Sequence, residues 1–422
     1  MLAITATLTF LRAWLSVRLV LGRLKAPARL RRAIGRVAPK LPEAIAAGDL
    51  QLLVDVSVLV SHDAGTGIQR VTKALLNELA KSPPEGYAVH PVQASRWQGY
   101  RYVKVRKGSA RVQVRPGDVF LGLDLASRIL PRHSLQLLKW RTSGARLCIV
   151  MYDLLPLLHP NWFTRRNSRA YEAWIRTVAV HADSVACISQ SVARQFGAWL
   201  ASQGFDREAS PQVGWFHLGT SLPCTQPPLP VDSLIQGIVQ NPFVLMVGTI
   251  EPRKGYAQAL DAFDALWHEG HPMQLVIVGR IGWNVDALLA RLRDHPEIGH
   301  RLHWLDNATD GVLHALYAAA SGVLITSEAE GFGLPILEAA AYRKPLLLRN
   351  LPVFREVAGA AASYFNAPTP QHFAQELNGW LQEITAGTAI TAATIPRKTW
   401  AESARELLEQ LPLKKSRLTA AI

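Results

Sequence analysis

The chain has 422 residues, 46 Lys and Arg against 32 Asp and Glu, a net charge of +14 and three cysteines. That length accommodates two or three domains with full cores, and the composition is that of a globular α/β protein. Three cysteines make neither a disulfide framework nor a zinc set, which points to a reducing compartment, and no RNP-like, KH-like or zinc-finger pattern supports nucleic acid as the partner of the positive charge.

Much of the basic excess comes first. Arg12, Arg18, Arg23, Lys25, Arg29, Arg31, Arg32, Arg36 and Lys40 all precede the first acid, Glu43. Residues 2–21 are apolar apart from Arg12 and Arg18. A signal peptide carries its charges before the apolar run, and a spanning helix would hold two arginines at mid-depth at high cost. Residues 1–49 are therefore expected to form a basic amphipathic arm on an anionic membrane surface, with Leu11, Trp14, Leu15 and Leu19 as anchors. The alternative is an extension that is disordered or packed on a domain.

Residues 51–60 are rich in Val and Leu and read as a first buried strand. Ser61-His-Asp-Ala-Gly-Thr-Gly-Ile68 follows, then a helical pattern over 69–80. Gly65 and Gly67 thus lie in a strand-to-helix turn, where an α/β domain approaches phosphates or sugars. Arg70 stands one step into that helix. Residues 96–115 are basic with interleaved Trp97, Tyr100 and Tyr102 and read as a β-excursion. Residues 117–123 and 145–151 are further buried strands, the second ending in Tyr152-Asp153 and leading to His159. Asp153 and His159 lie past the carboxyl end of a parallel strand, where ligands bind, although a structural turn is an equal reading. Residues 171–181 are helical, 184–188 are a strand, Ser189 caps a helix running to 199, and 213–218 close the sheet.

Pro227, Pro228 and Pro230 mark a linker over 223–241, separating a domain at 50–222 from one at 242–395, with a tail at 396–422 that is expected to brace the first domain. The second domain opens with a strand at 243–248 and the turn Val247-Gly-Thr-Ile-Glu-Pro-Arg-Lys-Gly255, which leads into a helix reaching 268. Arg253 and Lys254 at the helix start would grip a diphosphate, Arg through its planar fork and Lys as a point charge. Strands are expected at 274–279 and 301–305, with a helix at 310–320. An apolar strand at 322–325 then leads to Glu330-Gly-Phe-Gly-Leu-Pro-Ile-Leu-Glu338. Pro335 suits a first helical turn, and Gly331 and Gly333 let backbone come close to a ligand. The amides and dipole at this helix start favour an anion. Short strands at 345–348 and 363–365 and helices from 371 and 400 complete the pattern.

Glu330 and Glu338 around Gly-Phe-Gly-Leu-Pro resemble the paired-glutamate motif of retaining glycosyltransferases of family 4. The Gly248 to Gly255 turn is similar to that family's diphosphate-binding Arg/Lys turn. The resemblance covers about 50–411 in layout, with its specific motifs in the second domain. It implies an α/β GT-B fold: two Rossmann-like domains with parallel sheets facing a central cleft. It also implies a nucleoside-diphosphate sugar as co-substrate. Glu330, Arg253, Lys254 and Asp153 are then the catalytic candidates. Gly248, Gly255, Gly331, Phe332, Gly333, Leu334 and Glu338 are donor-binding candidates, with Glu330 on the hexose and Glu338 on the ribose. Leu305, Asp306 and Asn307 line the base. The glycine loop, Gly65 and Gly67, faces donor and acceptor, and His159 is on the acceptor side. Related transferases often have His-Asp where this chain has Tyr152-Asp153, which leaves that role open.

The chain has no Asp-x-Asp pair to hold a divalent ion, so no metal and no other cofactor is expected. The early segments beginning Thr66-Gly-Ile and Tyr152-Asp-Leu resemble bacterial polysaccharide mannosyl- and rhamnosyltransferases that use GDP-sugars. The expected reaction is retaining hexose transfer, of mannose or a 6-deoxyhexose, onto a lipid-linked or polysaccharide acceptor in O-antigen or exopolysaccharide synthesis. The expected location is the inner face of the cytoplasmic membrane, as a peripheral protein. A UDP-hexose transferase of the same fold, a non-catalytic glycan-binding scaffold, and a GT-B epimerase or phosphorylase are the alternatives.

Overall fold

The computed structural model describes residues 31, 49–63, 65–103, 110–220, 233–367 and 369–413. All of the expected arm but Arg31 and Asp49, and the proline-rich stretch 223–230, lie outside them. The chain divides into two compact units. One holds Met1–Pro160, Thr164–Gly219 and Trp400–Ile422; the other holds Asn161–Phe163 and Thr220–Thr399.

The first unit is built on a seven-stranded sheet. Its chain order is β1 (Leu50–Asp55), α1 (Ser57–Ser61), α2 (Gly67–Lys81), β2 (Tyr87–Gln93), β3 (Arg101–Tyr102), β4 (Val119–Gly122), α3 (Ser134–Thr142), β5 (Arg146–Met151), α4 (Leu155–Leu158), α5 (Arg165–His181), β6 (Ser184–Cys187), α6 (Gln190–Ser202) and β7 (Gln212–Trp215). The strand order is β3-β2-β1-β4-β5-β6-β7, all parallel except β3, which runs antiparallel to β2. Strands β4 and β6 are buried throughout, as continuous apolar runs in a sheet covered on both faces should be. Phe120, Trp140, Trp174 and Phe196 fill one core beside it.

Two local readings are corrected here. The first strand was expected over 51–60, but it stops at Asp55 and the chain turns at once into α1. The Asp124 carboxylate stops it there: it accepts the amides of Val58 and Leu59 at 2.8 and 2.7 Å, which turns the backbone into a helix. Strand β2 had no expectation; it holds Pro91, a residue that strands inside a sheet seldom carry. The position tolerates proline because the outer neighbour, the Val103 amide, needs only the Pro91 carbonyl. Helix caps follow the sequence signals. Thr66 and Gln69 form a capping box on α2, and Ser189 accepts the Val192 amide at 3.1 Å on α6. The helix Trp400–Glu409 packs on α2, and Ser403 donates to the His217 carbonyl at 2.8 Å.

The second unit runs α7 (Ser233–Val239), β8 (Phe243–Val247), α8 (Tyr256–His268), β9 (Gln274–Val278), α9 (Asp286–Arg293), β10 (Leu302–Leu305), α10 (Asp310–Ala319), β11 (Gly322–Ile325), α11 (Leu334–Ala341), β12 (Leu346–Arg349), α12 (Pro352–Ala358), β13 (Ser363–Phe365) and α13 (Pro370–Ala386). Its six strands lie in the order β10-β9-β8-β11-β12-β13 and are all parallel. Helix α7 occupies part of the expected linker, because Ile235 and Ile238 are buried. The chain steps outward from β8 to β10, then returns to the other side of β8 as β11. The strand order therefore reverses between β8 and β11, and it is outside the carboxyl ends of strands at such a point that open α/β sheets bind ligands. Phe263, Leu275, Ile277, Phe373 and Trp380 form the core beneath.

Candidate functional site

The loops after β8 and β11 meet at this switch point. After β8, a single helical turn, Pro252–Lys254, ends at Gly255, whose φ is +69°. A Cβ on Gly255 would stand 2.4 Å from the Thr326 carbonyl oxygen, so both the left-handed backbone and the close approach require glycine. That approach sews the two loops together. Thr326 Oγ1 donates to the Lys254 carbonyl at 2.7 Å, and the Glu328 amide donates to the Arg253 carbonyl at 2.7 Å. From β12, Arg349 Nε donates to the Thr326 carbonyl at 3.0 Å, and its Nη2 reaches Gln258 on α8.

Three sequence-predicted residues come together in this frame. Glu330 Oε2 lies 2.8 Å from Arg253 Nη1, and Glu330 Oε1 lies 2.5 Å from Lys254 Nζ. Ser327 Oγ donates to the same Oε1 at 2.9 Å. Arg253 also donates through Nε to Glu251 Oε2 at 2.8 Å and through Nη1 to the Ala329 carbonyl at 3.2 Å. Side-chain exposure is 10% for Glu330, 16% for Arg253 and 14% for Lys254, so these charges interact with little screening by water. Burial pushes the Glu330 carboxyl up, but the charges of Arg253 and Lys254 and the hydrogen bonds from Lys254 and Ser327 outweigh it and hold it at about 2. Glu330 is therefore an acceptor of hydrogen bonds at any ordinary pH, and too weak a base to hold a proton.

Glu330 leads directly into the glycine loop. Gly331, Phe332 and Gly333 are buried, and the Phe332 ring is 3% exposed, so that side chain belongs to the core. Gly333 has φ +103° and caps α11, where Pro335 sits in the first turn. Leu334 is half-buried, and Gly248 lies opposite with its carbonyl accepting the Tyr256 hydroxyl at 2.6 Å. Glu338, one turn into α11, is half-buried, and its Oε2 accepts the Tyr317 hydroxyl at 2.7 Å. Leu305 ends the edge strand β10, and Asp306 and Asn307 follow it directly. They lie two strands from β8, which is roughly 10 Å across a sheet. Among the described residues no group of three or more His, Cys, Asp or Glu is placed to hold a metal ion.

The remaining candidates are on the first unit, at the carboxyl ends of its strands. Gly65, with φ +65°, is exposed in the loop before α2, and Gly67, also exposed, is the first residue of that helix. Asp153 Oδ1 accepts the Leu155 amide at 3.0 Å and starts α4, the turn role that the sequence left open. His159 is exposed at the end of that helix. Tyr152 is buried, and its hydroxyl donates to the Leu123 carbonyl at 2.8 Å, so it serves the core. Arg70 is exposed.

Sequence reasoning missed four side chains that hold these candidates or their loops. Ser327, Glu251, Tyr317 and Arg349 carry no motif of their own, although Ser327 and Glu251 sit three and two residues before Glu330 and Arg253. On the first unit, Asp55 was missed as well: it is wholly buried at the end of β1, where the strand order of that unit reverses. It accepts the Ser57 amide at 3.0 Å and the Tyr100 hydroxyl at 2.8 Å. Burial raises its carboxyl to about 7 against these lowering hydrogen bonds, with a further upward push from Asp124.

The family described as Glycosyl transferases group 1 matches residues 235–404. The chain is 39% identical over 378 residues to the serotype-specific mannosyltransferase WbdA of Escherichia coli, covering 86% of this chain and 45% of that protein. It thus spans about half the length of this curated relative. It is 37% identical over 123 residues to O-antigen chain mannosyltransferase B of Escherichia coli, or 28% of this chain and 31% of that protein. Among solved structures, Anabaena HepE in complex with UDP and glucose aligns with a TM-score of 0.59 at 17% identity, covering 85% of this chain and 98% of that one. At that identity the likeness is one of fold.

Proposed function

We propose that this chain, whose residues 235–404 match the family described as Glycosyl transferases group 1 and whose fold is that of GT-B glycosyltransferases, is a retaining transferase that moves mannose from GDP-mannose onto a lipid-linked or polysaccharide acceptor. The observation that carries this reading is the Glu330 carboxylate held between Arg253 and Lys254 at the switch point of the second unit's sheet. Mannose is favoured by the names of both curated relatives, the serotype-specific mannosyltransferase WbdA and O-antigen chain mannosyltransferase B, and an O-antigen product by the name of the second.

The chemistry follows from the charges. As the glycosidic bond breaks, negative charge collects on the leaving diphosphate. Arg253 and Lys254 stabilise it from fixed positions in a site that excludes most water. Before the donor arrives, Glu330 and Glu251 balance these cations. The diphosphate then takes over part of their hydrogen bonding, and Glu330, ionised throughout, accepts from hexose hydroxyls. Glu338 meets the ribose, and Leu305 to Asn307 the base. Backbone at Gly248, Gly255 and Gly331 to Leu334 gives the close approach. The leaving phosphate takes the acceptor's proton, so no protein base is needed. Gly65, Gly67, Asp153 and His159 are the acceptor-side residues of the first unit. Protein cations occupy the role of a divalent ion, so the reaction needs no metal. Residues 1–49 hold the protein on the inner face of the cytoplasmic membrane; among the described residues no helix is long and apolar enough to cross one.

The test is a panel of radiolabelled GDP-mannose, GDP-6-deoxyhexoses and UDP-hexoses, with EDTA throughout. GDP-mannose is expected to be turned over, and Glu330→Gln to lower kcat on the order of tenfold or more with a smaller change in donor affinity. Activity lost in EDTA and restored by Mg²⁺, or a fully active Glu330→Gln, overturns the mechanism. Turnover of a UDP-hexose in place of GDP-mannose overturns the donor.

A further inference from the structure

We infer that Tyr317 is a positioning residue for recognition of the nucleotide ribose, acting by fixing the Glu338 carboxylate before the nucleotide arrives. The inference rests on the reading of Glu338 as the ribose contact and adds how that contact is set.

Four side chains on two neighbouring helices form one connected set. Tyr317 and His314 project from α10, and Glu338 and Tyr342 from α11 and its end. Spacings of three and four residues put each pair on one helix face. Tyr317 donates to Glu338 Oε2 at 2.7 Å. Its ring lies nearly parallel to that of Tyr342, with centroids 5.7 Å apart and planes 6° from each other. The Tyr342 hydroxyl in turn meets His314 Nδ1. The Tyr317 ring is 2% exposed, so the phenol cannot swing away from its place. Glu338 is only half-buried and has three side-chain torsions. Left alone, it would sample several rotamers and lose that freedom on meeting a ligand.

The phenol removes this cost in advance. A donor fixed on both faces by packing holds one carboxylate oxygen and so fixes the plane of the other. A ribose offers two vicinal hydroxyls, both donors, whose joint recognition depends on that plane. Preorganisation of this kind raises affinity without adding a contact to the ligand. It also places the ribose contact one helical turn, about 5.4 Å, along α11 from the loop that faces the phosphates. Tyr317 itself touches no ligand in this scheme.

The experiment compares calorimetric affinities for GDP and 2′,3′-dideoxy-GDP in the full chain, in Tyr317→Phe, in Glu338→Gln and in the double variant. Phe keeps the ring and its stack on Tyr342, and a thermal melt checks the fold. Wild type is expected to prefer GDP by about tenfold or more. Tyr317→Phe should lose about fivefold for GDP and nothing for the dideoxy nucleotide, and in the double variant it should add nothing to Glu338→Gln. Equal losses for both nucleotides in Tyr317→Phe, or additive losses in the double variant, would make Tyr317 merely structural and overturn the proposal. If Glu338→Gln itself leaves the preference for GDP intact, the ribose reading of Glu338 fails and the proposal falls with it. If Glu338→Gln abolishes the preference and Tyr317→Phe leaves it at the wild-type value, only the proposal fails.

Discussion

Arg253 sits between Glu251 and Glu330, and removing its charge leaves two carboxylates, both largely buried, without their shared cation. Arg253→Ala is therefore expected to cost at least about 2 kcal/mol in kcat/KM for the best donor, the range of a lost charged contact to a developing anion. Steady-state kinetics on GDP-mannose checks it, and near-wild-type kcat/KM would remove Arg253 from the diphosphate site. Glu330 stabilises the fold in the usual carboxylate sense. Its folded value of about 2 lies below its ordinary 4.5, so its contribution is present above about pH 4.5 and lost as pH falls toward 2. Asp55 works the other way. Folded, it keeps its proton to about pH 7, whereas the unfolded chain releases it near 3.8. The folded form binds the extra proton across that window, so stability falls as pH rises through it, by at most about 1.4 kcal/mol per unit. Asp55→Asn, which can still accept the Ser57 amide, should flatten this slope in urea titrations at pH 4.5, 5.5 and 6.5. An unchanged slope would mean that Asp55 is ionised throughout.

The elements owe their places to a few close approaches. The turn after β8 and the loop after β11 are held by backbone hydrogen bonds and by the absence of one side chain, at Gly255. Gly255→Ala would combine a left-handed alanine with a Cβ 2.4 Å from the Thr326 carbonyl. The expected loss is about 2–4 kcal/mol, the sum of backbone strain and overpacking. The displaced loop should also lower affinity for a nucleoside diphosphate. A chemical-denaturation midpoint equal to wild type would show that the two loops can part without cost. Periodicity located most of these elements, since buried parallel strands read as apolar runs and caps are local signals. It overran β1 because Val56, Val58 and Val60 continue the apolar run that a strand would show. The reason for the turn is Asp124, 66 residues from Val58, and no local pattern records such a partner. The phenol behind Glu338 was equally hidden: Tyr317 reads as one more apolar position of an amphipathic helix.

At the scale of the whole chain, the two units are of one type, but Arg253, Lys254, Glu330, Glu338 and nearly all of the family match lie in the second. The basic arm meets the first unit at one described residue. Arg31 donates to the carbonyls of Ala179, Val180 and Ala182 at the end of α5, where a helix end favours a cation. Arg31 is thus engaged with the protein, and on the proposed reading the membrane contact is left to the other basic and apolar residues of the arm. Removing residues 1–30 should leave a folded, nucleotide-binding protein that no longer sediments with anionic vesicles. Each lost cation near such a surface is worth about 1 kcal/mol, and salt should weaken the full-length protein's binding. Equal sedimentation of the truncated chain would place the membrane contact elsewhere. The sequence by itself determined the α/β class, the strands of the second sheet and the trio Glu330, Arg253 and Lys254, because apolar period, glycine spacing and charged turns are short-range signals. Only the tertiary structure decided that Glu330 is paired with both cations, that Tyr152 serves the first unit's framework while Asp153 opens α4, and that Tyr317 and Arg349 stand behind the site. Those facts depend on which loops a sheet's strand order brings side by side, and that order joins residues dozens of positions apart through packing that no local run of sequence encodes.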